Sequence, residues 1–218
     1  MVFGGKCSLN SKFGVISEEL ANEDFWSEYK VFSPRDVRRM QDIEYCSSIL
    51  VLAREGIIDQ PKNDRLDQIY KEFCEDYRDS ELDTQKVHRA MELIKKLTEG
   101  ETNGFVNKKI QMYTLFSVMF DFVENNIEVS DTVVQMFAMF EQCYIVFKNE
   151  YDLQGETEQE HKVLEYLKKY KLASSEGVNK LSNRMIRFEV LKKILLQING
   201  VEAKNFEAIR RRMEELID

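Results

Sequence analysis

Few residue groups in this sequence have types and spacings suited to chemistry, and the first to test is Gly4-Gly5-Lys6-Cys7-Ser8. It looks like the end of a phosphate loop, in which backbone amides cradle an anion. A true loop needs another glycine five residues before the Gly-Lys pair and a strand ahead of it, and neither fits before residue 1. Glu158-Gln159-Glu160-His161 has the Glu-x-x-His spacing that puts a carboxylate and an imidazole one turn apart in di-iron bundles. A di-iron site needs that motif twice. The only other histidine, His88, has Gln85 three residues before it. With two histidines far apart and no Cys-x-x-Cys pattern, no metal site is expected. The four cysteines, Cys7, Cys46, Cys74 and Cys143, are widely spaced and mostly in apolar helical stretches. They read as reduced thiols packed as small hydrophobes. No catalytic residue and no cofactor is assigned.

Three basic sets remain. Arg35, Arg38 and Arg39 stand near a helix start, where Arg38 and Asp42 have the i, i+4 spacing of an ordinary ion pair. Lys180, Arg184 and Arg187 fall at i, i+4, i+7, a spacing that draws one stripe on a helix and suits phosphate contacts if that stripe is exposed. Arg210, Arg211 and Arg212 lie among Glu207, Glu214 and Glu215, which points to local pairing. Arg38, Arg39, Lys180, Arg184 and Arg187 are therefore the nucleic-acid-binding candidates. Residues 161–218 carry a net charge of +5 and residues 1–160 carry −13, within a total of −8. That asymmetry fits either an anion-facing surface or an ordinary solvated helix face.

The elements that must position these groups read as helices almost throughout. Only 9 Gly and 2 Pro interrupt 218 residues, and 43% hydrophobic with 32% charged residues is the balance of a folding chain. Short helices are expected over Phe13 to Ala21 and Glu23 to Tyr29. A long one should run from the Ser33-Pro34 cap to about Arg54, with Val37, Met40, Cys46, Ile49, Leu50 and Ala53 inward and Gly56 as its stop. Amphipathic spacing continues through Leu66 to Tyr77 and from Ser80 through Leu97. Two segments near 107–123 and 130–147 are apolar on most of their circumference and should be central. Thr157 to Glu160 has a capping-box pattern opening a helix, and further helices cover about 179–197 and 206–217. The expected fold is all-α, an irregular multi-helix bundle of about eight or nine helices. It forms a single helical domain over 1–218, with a soft subdivision into 1–99 and 105–218 at the polar, glycine-containing Glu99 to Gly104 stretch. No apolar run exceeds five residues, so no membrane span is expected, and the first ten residues lack the pattern of a signal peptide, giving an expected cytoplasmic location.

Leu9-Asn10, Ile16 to Phe25 (ISEELANEDF), Arg38 to Glu44 (RRMQDIE) and Asp67 to Phe73 (DQIYKEF) together resemble the helical region of the GmrSD-type restriction-protein family. Ser182 to Arg187 (SNRMIR) is similar to the polar, arginine-containing start of a late helix in that region. Members of that family carry an N-terminal ParB/sulfiredoxin-like domain with an Asp-Gly-Gln-Gln-Arg motif, which is absent here. The resemblance implies a non-catalytic helical module of a prokaryotic, restriction-like phage-defence protein. Its partners would be DNA and an N-terminal nuclease or NTPase domain or partner subunit. The alternative is a free-standing helical scaffold or adaptor with no nucleic-acid role.

Overall fold

The computed structural model describes residues 2–3, 7–8, 10–59, 64–99, 104–147, 153–198 and 201–215. Among them the chain is all-α apart from one minimal antiparallel pair, β1 (Val2–Phe3) with β2 (Cys7–Ser8). The helices are α1 (Lys12–Ala21), α2 (Asp24–Glu28), α3 (Pro34–Arg38), α4 (Gln41–Glu55), α5 (Asp64–Glu75), α6 (Ser80–Leu97), α7 (Lys109–Glu124), α8 (Asp131–Phe147), α9 (Glu158–Ala173), α10 (Leu181–Leu195) and α11 (Ala203–Glu215).

Local chemistry sets most of these boundaries. Ser11 caps α1 by accepting from the Gly14 amide, and Ser33 and Asp36 form a reciprocal capping box around Pro34 at the start of α3. The long helix expected over 33–54 is broken. Met40 sits in the left-handed region at φ +57, its amide bonding the Val37 carbonyl, and α4 restarts from the Met40 carbonyl. Val37, expected inward, is accordingly 53% exposed. The break also parts Arg38 from Asp42, and their expected ion pair does not form. Gly56, at φ +74, stops α4. Thr157 caps α9 by accepting from the Glu160 amide, but the Glu160 carboxylate reaches past the cap to the Glu156 amide and to Arg212. Only half of the expected capping box is present.

Helix α7 is the central element. Every residue from Gln111 to Phe120 is buried, and α7 packs against α4, α6 and α10. Phe25 and Trp26 from α2 lay their rings against Phe116 of α7, and Trp26 also meets Tyr45 of α4. On the other side, Phe105, Phe140, Tyr144 and Tyr170 make a second aromatic group of mostly edge-on contacts. Apolar residues on both sides of 100–103 share one contiguous core.

The cysteine reading needs one correction. Cys46 and Cys143 are free and buried, whereas Cys74 is disulfide-bonded. A disulfide depends on a spatial approach of the two Cα atoms that sequence separation does not reveal. The side chain of Cys7 lies outside the described residues.

Candidate anion-binding sites

Helix α10 departs from ordinary amphipathicity in its first two turns. Leu181, Met185 and Ile186 face outward at 40%, 37% and 38% exposure, while Arg184 and Arg187 turn inward at 5% and 1%. The reason is phase: Arg184 and Arg187 share a face with Leu191 and Ile194, which the core holds completely buried. Of the expected basic stripe, only Lys180 is exposed. Arg184 and Arg187 belong to the interior.

Arg187 is held there by neutral acceptors. Arg187 donates from Nε to Thr114 Oγ1 at 3.1 Å, from Nη1 to the Ala173 carbonyl at 2.6 Å and from Nη2 to the Val178 carbonyl at 2.9 Å. Ala173 is the last residue of α9, so one of these bonds satisfies a helix-end carbonyl at the negative pole of the helix dipole. Arg184 donates from Nη1 to the Ile58 carbonyl at 3.1 Å and to the Tyr113 hydroxyl at 2.9 Å, and its guanidinium lies 4.1 Å from the Tyr113 ring centroid. Burial pushes both guanidinium groups below the ordinary arginine pKa, without bringing them near deprotonation. Burial likewise raises Tyr113, against the opposing pull of the two arginines. Arg184 feels the carboxylate of Asp59. No carboxylate among the described residues pairs with Arg187.

Both arginines border a cavity of about 290 Å³ between α4, α7, α10 and the turn before α10. Lys109, Asn179, Ser48 and Gln41 add polar groups to its wall, and Glu44 supplies the one carboxylate. Lys109 is itself engaged with Asp36 at 2.7 Å, and Asn179 accepts weakly from Arg184 Nη2 at 3.4 Å.

A second basic feature lies on the surface. Arg35, Arg38 and Arg39 are all exposed, and none is ion-paired with a described residue. Capping leaves Asp36, the acidic residue between them, occupied by Ser33 and Lys109, which hold its carboxyl well below the usual range. The third set behaves as its spacing predicts. Arg210 pairs with Glu214 and Arg211 with Glu207, each across i, i+4, and Arg212 reaches Glu160.

Glu158 and His161 are exposed in the first turn of α9. No group of three metal-binding side chains occurs among the described residues, and no helix there is long and apolar enough to cross a membrane. The phosphate-loop resemblance at 4–8 falls largely outside the described residues. Comparison with protein-family models, curated proteins and solved structures finds no match in any of the three.

Proposed function

We propose that this chain is a non-catalytic helical module that contacts DNA through the surface arginines of α3, within a restriction-like defence protein. One observation carries the DNA contact: three arginines within five residues, all exposed and none neutralised by a described carboxylate. Lys180, also exposed, is a secondary contact. The defence context and an N-terminal catalytic partner rest on the family resemblance alone. The disulfide at Cys74 weighs against the cytoplasmic location expected from the sequence, since disulfides persist mainly in oxidising compartments.

A fluorescence-anisotropy titration with duplex DNA over a salt series tests the proposal. Each arginine contacting a phosphate contributes about 0.9 to the slope of log K against log salt. Replacing Arg35, Arg38 and Arg39 by Gln should therefore lower binding and flatten that slope by about 2 to 3. An unchanged slope, or no binding by the native chain at about 50 mM salt, refutes it.

A specific feature favours the scaffold alternative. Leu172, at 63% exposure on the end of α9, and Ile186 of α10 line one shallow surface concavity, apolar surface of the kind that docks another protein. A chain that ignores DNA but loses association with a partner protein on Leu172→Ser would support that role.

A further inference from the structure

We infer that the cavity between α4, α7 and α10 binds a small organic oxyanion, a carboxylate or phosphate monoester, through Arg184 and Arg187. This site is separate from the α3 surface and does not depend on the DNA reading. Three observations converge on it. First, a guanidinium at 1% exposure has no ionic partner among the described residues, and buried charges are ordinarily paired. Of its five N–H groups, three are spent on neutral acceptors, and the other two have no acceptor among the described residues.

Second, the wall brings two guanidinium groups together beside few anions. Arg184 lines the cavity with Arg187, Glu44 is the one carboxylate of the lining, and Lys109 is already paired with Asp36. A planar carboxylate or a phosphate oxygen matches the forked donors of arginine. The ring of Tyr113, already stacked on Arg184, offers an apolar side for the body of the ligand. Third, helix α10 places arginine inward and Leu181, Met185 and Ile186 outward. A local inversion of the hydrophobic pattern is expected at functional or strained sites. A volume of about 290 Å³ lies at the lower limit of small-molecule pockets and suits a compact acid better than a nucleotide.

Calorimetric titration of the full chain in a phosphate-free buffer tests the inference, using inorganic phosphate, phenyl phosphate, benzoate and the neutral isostere benzamide. The expected result is saturable binding of at least one anion with no binding of benzamide. The order of phenyl phosphate and benzoate tells which oxyanion the site prefers. Asn179→Asp and Gln41→Glu each bring a negative charge to the cavity. Gln41 is exposed at the first residue of α4, where a carboxylate favours the helix, so Gln41→Glu should fold at least as well as the native chain. Each variant should weaken the anion by about tenfold, while substitution of the α3 arginines leaves it unchanged. Affinity weaker than about 10 mM for every anion, equal binding of benzamide, or full affinity in both acidic variants overturns the inference.

Discussion

Replacing Arg187 by Met isolates the energetic problem at the centre of this protein. The change keeps a long apolar stem and removes the guanidinium, so Thr114 Oγ1 and the carbonyls of Ala173 and Val178 lose their donors together. A hydrogen bond from a charged donor contributes about 1.5–3 kcal/mol, and buried acceptors left bare cost a comparable amount. Three such losses total roughly 5–9 kcal/mol. Against this stands the desolvation of a cation at 1% exposure, which is several kcal/mol and is relieved in the variant. Val178 lines the cavity, so its carbonyl recovers part of its loss to water. The balance favours arginine, with a net destabilisation of about 2–4 kcal/mol.

For a chain of 218 residues, that corresponds to a fall in Tm of about 4–16 °C. Urea unfolding followed by circular dichroism reads the same loss as a lower midpoint at an unchanged m value. Arg187→Lys is the informative companion, since it keeps the charge but cannot span three acceptors with a planar fork. It should be destabilised nearly as much. If Arg187→Met is as stable as the native chain, desolvation outweighs the three bonds. The arginine would then be a structural liability, which strengthens the case for a ligand and refutes the capping role assigned to it at the end of α9.

Two further perturbations rest on named contacts. Asp83 on α6 accepts from Arg54 Nε and Nη2 and from the Tyr77 hydroxyl, so Asp83→Asn weakens three bonds at once and leaves Arg54 with Asp79 as its remaining carboxylate. It should cost about 1–3 kcal/mol in urea unfolding, and a loss under about 0.5 kcal/mol refutes the hub. Glu160 is held below the usual carboxylate pKa by the Glu156 amide and then by Arg212. A depressed folded pKa gives stability that is present above the unfolded value near 4.5 and fades as pH falls through the folded one. Glu160→Gln should therefore flatten the acid side of the stability profile below about pH 4.5 while leaving its slope near neutrality unchanged. An identical acid limb in the variant refutes the assignment.

Much of the fold is legible in the sequence because its signals are local. Caps at Ser33 and Thr157 mark helix starts that the structure keeps, and the apolar circumference of α7 correctly predicts its central place. The break at Met40 is not legible, since Met is a good helix former and nothing in its neighbours forbids helix. The disulfide at Cys74 is not legible either, being a property of spatial approach.

The arginines mark the limit of reading spacing alone. Lys180, Arg184 and Arg187 group by their own spacing, which makes any periodic basic set look like a surface stripe. Extending that face by one more turn brings in Leu191 and Ile194, both fully buried. The phase of the apolar residues therefore assigns two of the three cations to the interior. The α3 arginines have no such continuation, because Met40 ends the helix before a core residue shares their face. Two basic sets similar in composition thus sit oppositely, and the difference lies in whether one unbroken helix carries the set on to core residues: Ile43 and Cys46 follow Arg39 at i+4 and i+7, but across the break at Met40. Buried cations in phase with a core stripe must be compensated by carboxylates, by carbonyls or by a ligand. Arg187 has only the second of these among the described residues, which is why the cavity beside it is the place to look for the third.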